Sequence, residues 1–380
     1  MNNALGLYIH IPFCVKKCDY CDFLSFGGRA QASKDLYIKA LCHELEAQGE
    51  VFKGQEVSTV YIGGGTPSVL SDDNFKALMT RVQACFQINA EAEITMEMNP
   101  GTVNAQSMEL YMKHGINRVS MGLQSDNDDQ LKALGRIHSF QTYEDTYMMM
   151  RQMGMKNINI DIMFGLSNQS MADWQHTLAT VKRLNPEHIS AYSLIIETGT
   201  VYEAQYEEGK LNLPDEDLER EMFWSTHAFM KAAGYEHYEI SNYAKKGYGS
   251  KHNSSYWDLT PYIGVGLGAS SYYGGCRYKN ITDMDAYIEA DGSLELIREL
   301  EQAYKVTSSL EEVFFLGLRR LQGVNLRVIR EHYEEVYLAP YKEIIERLVK
   351  EDLLIIEGDY LRLSNRGIDI SNQVMSQFIL

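Results

Sequence analysis

Short apolar runs and longer stretches of helical spacing alternate through the first two thirds of the chain. Leu7-Tyr8-Ile9-His10-Ile11 reads as a strand ending at Pro12, and residues 33–48 place Leu36, Ala40, Leu41 and Leu45 on one helical face before Gly49. Thr59-Val60-Tyr61-Ile62 predicts a second strand, stopped by Gly63-Gly64-Gly65, and residues 73–86 a second helix. Residues 93–98 alternate polar and apolar as far as Asn99-Pro100, and 118–123, 157–164 and 188–195 predict further strands. Residues 105–114, 142–153, 172–184 and 218–233 have helical spacing, and the turns between carry Gly, Pro or Asn. Repeated βα units imply a parallel sheet with helical crossovers. About six such units suit a barrel or partial barrel better than a short doubly wound sheet, and in either fold ligands bind at the carboxyl ends of the strands.

The pattern changes near residue 245. Residues 245–278 are rich in Gly, Tyr and Ser and read as irregular. Residues 310–321, 326–335 and 341–350 are helical again, 353–356 and 360–363 read as a hairpin about Glu357-Gly358-Asp359, and a last helix starts near Asn365. The chain therefore divides into a βα barrel core (1–245), a connecting region (246–305) and a small winged-helix-like α+β module (306–380).

Composition removes whole classes of function. The chain has 380 residues, a net charge of −17, six cysteines and 45% hydrophobic residues. Such a chain buries a core without disulfide staples and is too apolar to be disordered. No apolar run approaches membrane-span length. The charge lacks the basic footprint of a nucleic-acid binder, and the C-terminal module, with 9 basic and 12 acidic residues, lacks it too. Met1-Asn2-Asn3-Ala4 opens no signal peptide, so a cytoplasmic location is expected.

The cysteines carry more by position than by number. Cys14, Cys18 and Cys21 form a C-x3-C-x2-C loop after the first strand, whereas Cys42, Cys85 and Cys276 are scattered. Three clustered thiolates can hold a [4Fe–4S] cluster with one iron open to a cofactor. The alternatives are a structural zinc site, with His10 as a fourth donor inside the strand, and three unrelated core cysteines. Gly63-Gly64-Gly65-Thr66-Pro67 follows the second strand, and such a run lets a ligand approach the backbone, although no Gly-Lys-Ser/Thr makes it a P-loop. Glu97, Gln124, Arg136 and Asp161 fall on or near later strands; Asp161, mid-strand, is costly to bury unless it meets a ligand or a salt-bridge partner. Gly264-Val265-Gly266-Leu267-Gly268-Ala269 matches G-x-G-x-x-A but lacks the strand-then-helix context of a dinucleotide site, and reads as a tight element against the barrel.

Tyr8-Ile9-His10-Ile11-Pro12-Phe13-Cys14, the cysteine loop, the glycine run and the spaced strands resemble radical S-adenosylmethionine (SAM) proteins, and within them the oxygen-independent coproporphyrinogen III oxidase group. The resemblance covers nearly the whole chain, and implies an α/β partial (βα)6 barrel with a C-terminal module. Two features depart from the decarboxylase of that group. Its further cysteine, two positions after the third, is replaced here by Phe23, and thirteen residues stand before Cys14 in place of a long arm. Both departures are similar to the HemW-type haem chaperones, as is His252-Asn253-Ser254-Ser255-Tyr256-Trp257, which matches an HNxxYW motif.

Carried over by position, the resemblance implies that Cys14, Cys18 and Cys21 ligate the cluster and that Tyr8, Tyr20, Gly64, Gly65, Thr66, Glu97, Gln124, Arg136 and Asp161 line SAM sites. It implies three cofactors or ligands: a [4Fe–4S] cluster, SAM and haem. The expected partners are haem and haem-acceptor proteins, including respiratory, membrane-associated ones; a homodimer and the electron donor are left open, and no nucleic acid is expected. The resemblance implies chemistry in which an open cluster iron would bind the amino and carboxylate groups of SAM and one electron would split its S–C5′ bond. His252, flanked by aromatics, is the candidate haem ligand; the alternative is a histidine bonded to neighbouring backbone in a Gly/Ser-rich loop. Two other functions remain, a porphyrinogen-oxidising radical enzyme and a structural metal protein.

Overall fold

A computed structural model describes residues 5–303 and 305–380; residues 1–4, read above for a leader, lie outside the described residues. Strands β1 (Leu5–Ile11), β2 (Glu56–Gly64), β3 (Gln87–Met98), β4 (Arg118–Gln124), β5 (Ile158–Phe164) and β6 (His188–Ser193) lie parallel in chain order. Each is followed by a helix of the expected kind, among them Gln31–Val51, Asp72–Cys85, Phe140–Gln152 and Met171–Leu184. Side-chain caps fix several helix starts: Ser71 accepts from Asn74, Ser139 from Thr142, and Ser170 and Asp173 form a reciprocal box.

The strands show why a polar set survives in a buried parallel sheet. One alternating set, including Val60, Ile62, Met96, Val119, Met121, Ile160, Ile162 and Ile189, packs into the main apolar core. The other set, including Tyr61, Glu97, Ser120, Asn159, Asp161 and Ser190, lines a cavity inside the curve of the sheet. Fully buried strands are ordinarily apolar on both faces. Here one face looks into a lumen instead.

The stretch expected to be irregular is not. It adds α1 (Lys251–Trp257) and strands β9 (Tyr262–Val265), β10 (Ser270–Tyr273) and β11 (Cys276–Asn280). With β7 (Glu236–Glu239), β8 (Asn242–Ala244) and β12 (Arg298–Ala303) these complete a twelve-stranded sheet, ordered β12-β11-β10-β9-β1-β2-β3-β4-β5-β6-β8-β7. The sheet is open, so the barrel is partial. The G-x-G-x-x-A segment begins inside a strand, β9, and turns back into β10 with no helix. A Cβ on Gly264 would stand 2.1 Å from the Ser270 carbonyl oxygen, and Gly266 has φ +98°, so the glycines serve the turn.

The C-terminal module has its own apolar core about Leu310, Phe314, Leu348, Leu361 and Phe378. Helices Val306–Gly317, Leu326–His332 and Glu335–Lys350 pack on a three-stranded sheet of Val324–Asn325, Tyr360–Leu363 and Leu354–Glu357. The single last helix expected from Asn365 is two short ones, Asn365–Asp369 and Ser371–Ser376.

Candidate functional site

The cysteine loop leaves β1 at Pro12 and is stitched down by backbone. Phe13–Cys14 pairs with Phe26–Gly27, the Asp19 N–H donates to the Leu134 carbonyl at 3.1 Å, and the Tyr202 N–H donates to that of Asp19 at 2.9 Å. The turn after β2 lies directly against this loop. A Cβ on Gly65 would meet the Phe13 carbonyl oxygen at 2.7 Å, and one on Gly64 (φ +111°) would meet the His10 ring at 2.5 Å. The glycine run is thus demanded by the cysteine loop.

All three thiols line one cavity of about 140 Å³. Gly64, Gly65 and Thr66 enter it from the turn after β2, Glu97 from β3, Gln124 from the end of β4, Asp161 from β5, and Arg136 and Tyr20 from loops. The Thr66 hydroxyl donates to Cys14 Sγ at 3.5 Å and Arg136 Nη1 to Cys18 Sγ at 3.6 Å. Arg136 Nη2 also donates to Asn99 Oδ1 at 3.0 Å and the Gly122 carbonyl at 2.9 Å, which fixes the guanidinium beside the thiols. Burial pushes the Cys21 thiol up to about 11. No group of three His, Cys, Asp or Glu side chains able to hold a metal ion is found among the described residues. A cubane cluster asks for something different, one thiolate at each of three irons, and three thiols on one cavity wall meet that donor set.

Two carboxylates sit deeper. Glu97 accepts from Tyr61 Oη at 2.7 Å and from the Gly64 N–H at 3.1 Å, and burial raises its pKa to about 7. Asp161 accepts from Asn159 Nδ2 at 2.6 Å and Ser120 Oγ at 3.3 Å, and burial raises its pKa too. Its partners are hydrogen-bond donors; among the described residues it makes no ion pair. A second cavity of about 350 Å³ continues from Tyr20 and Cys21 past both carboxylates to Arg118, Asn159 and Asn253.

Tyr8 and His10 do not reach either cavity. Tyr8 Oη hydrogen-bonds His10 Nδ1 at 2.9 Å and its ring stacks on Tyr61, while His10 Nε2 hydrogen-bonds the Leu24 carbonyl at 2.9 Å. Both ring nitrogens of His10 are therefore committed, which removes it as a fourth metal donor. Cys42 is buried in the main core, away from the loop.

Comparison with known proteins agrees with this geometry. Residues 8–181 match the model of the radical SAM superfamily, and residues 307–370 that of the HemN C-terminal domain. A protein of Lactococcus lactis subsp. lactis (strain IL1403) named heme chaperone HemW is 34% identical, covering 98% of this chain and 97% of its own. Another so named, of Bacillus subtilis (strain 168), is 35% identical with 98% of each chain covered. The chain belongs to the HemW family of radical SAM proteins. The solved coproporphyrinogen III oxidase (HemN) of Escherichia coli shares the fold, with a TM-score of 0.87 over 98% of this chain and 89% of its own, at 23% identity.

Two HemW-associated features can now be placed. Phe23 is 61% exposed and lines both cavities. The HNxxYW segment is α1 rather than a loop, and it underlies the barrel. The carboxylate of Glu93, on β3, accepts from the backbone N–H groups of Lys251 and His252 at the start of α1. His252 is fully buried; Nδ1 hydrogen-bonds Thr59 Oγ1 at 2.8 Å, Nε2 hydrogen-bonds Tyr256 Oη at 2.7 Å, and the ring stacks on Tyr61 at 5.2 Å. Burial pushes its pKa down to about 3, so the ring is neutral. With both nitrogens bonded, His252 sits beneath the barrel and off the lining of both cavities. Asn253, not His252, reaches the cavity. Sequence reasoning also missed Tyr61 and Arg118, although a charge inside a strand, the signal used for Asp161, was equally present at Arg118.

Proposed function

We propose that this chain holds a [4Fe–4S] cluster on Cys14, Cys18 and Cys21, binds SAM beside it, and carries haem to acceptor haemoproteins. The observation that carries the reading is the meeting of three thiols, the glycine turn, Arg136 and two buried carboxylates at one cavity. Relatives named as heme chaperones over nearly their whole length support the haem part. When bound, the cluster and SAM supply an open iron and one-electron chemistry.

The chain's own residues prepare that place. The Arg136 guanidinium and the Thr66 hydroxyl donate to Cys18 Sγ and Cys14 Sγ and so orient the two sulfurs on the cavity wall. Gly65 lets the turn after β2 close against the loop without steric cost. Glu97, titrating near neutrality, can hold or release a proton at the cavity wall. Phe23 leaves the position without a fourth thiol of the decarboxylase kind. Haem acceptors, membrane contact at delivery and a homodimer belong to the same proposal; no helix among the described residues is long and apolar enough to cross a membrane.

Anaerobic reconstitution followed by two assays on one sample tests the reading. Haem binding without coproporphyrinogen III turnover supports the chaperone, and turnover overturns it in favour of the oxidase. Cys18→Ala is expected to lose the cluster; a variant that still carries four irons would refute the ligand assignment.

A further inference from the structure

Arg118 opens β4 at the amino end of the barrel strands and lines the larger cavity. Its residue is 2% exposed, its Nε has no hydrogen-bond partner, and no ion pair reaches it among the described residues. The polar groups around it are spent on one another. Asn159 Nδ2 donates to Ser120 and Asp161, and Asn159 Oδ1 meets His188 Nδ1 and Ser190 Oγ. Glu97 is satisfied by Tyr61 and Gly64, and Glu93 caps α1.

A buried guanidinium with no ion pair among the described residues is costly even though the Glu97 and Asp161 carboxyls face the same cavity and act on it electrostatically, and a stable core would favour an apolar residue of similar size. Arginine's planar fork is matched to carboxylate, with two parallel hydrogen bonds. Above Arg118 the cavity rises between polar walls to a rim of Tyr192, Phe23 and Ile195, which are 39%, 61% and 62% exposed. Such a site is cationic at its floor and apolar at its mouth. It fits a ligand with an apolar body and a carboxylate arm.

We propose that Arg118 is the counter-charge for a carboxylate of a ligand that enters the lumen from the cysteine-loop face. Two ligands of the proposed function carry such a group: haem, through a propionate, and a SAM held away from the open iron, through its methionyl carboxylate. The inference rests on that reading for the identity of these ligands, while the unpaired guanidinium is a property of the chain itself.

The test is equilibrium titration of the anaerobically reconstituted protein with haem, haem dimethyl ester and SAM, for wild type, R118M and R118Q. R118M is expected to weaken the carboxylate ligand about 10- to 100-fold, the loss of one charged hydrogen-bonded pair. If haem is the source, haem weakens while its dimethyl ester binds wild type and R118M alike; if SAM is the source, SAM weakens and haem does not. Equal affinities of wild type and R118M for both haem and SAM, with cluster iron intact, overturn the proposal. Should R118M fail to fold, R118Q decides: it removes the charge and keeps a polar side chain, and an unchanged affinity for both ligands overturns the proposal equally. A wild type that binds neither ligand overturns the proposed function instead, and the assignment of Arg118 with it.

Discussion

Glu97 has the sharpest consequence at the scale of a single residue. Its folded pKa of about 7 lies above the ordinary 4.5 because burial penalises the charge. The sign follows from proton counting. Below the unfolded pKa both states are protonated; between the two values only the unfolded state loses the proton, so the carboxyl's contribution to stability falls as pH rises and is gone above the folded value. Glu97→Gln removes that dependence. Relative to wild type, E97Q is expected to gain on the order of 3 kcal/mol between about pH 5 and pH 8, read by urea unfolding of both proteins at the two pH values. Parallel pH profiles would show that Glu97 ionises normally. Several site residues were legible in the sequence because their chemistry is unusual for their context: clustered thiols, a run of glycines, an acid within a strand. Tyr61 was not legible, since a tyrosine in a strand is ordinary; only its reach to Glu97 and its stacking between Tyr8 and His252 give it a role.

At the scale of elements, the parallel strands were readable and the sheet extension was not. β1 to β6 carry enough alternation and length to declare themselves, and each is closed by a helix of clear period. β9 and β10 have four residues apiece, and β10 to β12 are partly to largely exposed, so no local pattern marks them; β10 to β12 pair in turn onto β9, and β9 is held by β1, distant in sequence. The same nonlocality hid α1, whose role lies in what it touches. His252→Ala removes two buried hydrogen bonds and leaves Thr59 and Tyr256 without those partners. The expected cost is about 2–4 kcal/mol in urea unfolding, with haem affinity retained once the variant is folded. Loss of haem binding at unchanged stability would restore His252 as a ligand.

At the scale of the whole molecule, the barrel and the C-terminal module keep separate apolar cores. They meet through polar and aromatic contacts and one apolar side chain: Trp224 donates to Asp369, Arg320 pairs with Asp258, Arg319 lies over the Trp257 ring at 4.5 Å, and Ile240 packs against the module core. Core damage in one body should therefore stay there. Leu361→Ala, at a fully buried position of the module, is expected to cost about 2–5 kcal/mol of module stability while leaving iron content after reconstitution unchanged. An equal loss of iron would show that the two bodies unfold as one. Trp257 gives this contact a second meaning, because it ends the helix whose His252 lies beneath Tyr61.

That helix sits under β2 and brings Asn253 to the larger cavity. Tyr20, Phe23, Glu97, Gln124 and Asp161 line both cavities, so the space beside the thiols and the space above Arg118 share a wall. Occupants of two such rooms are neighbours: a molecule beside the thiols presses on the same side chains that a molecule in the larger cavity touches.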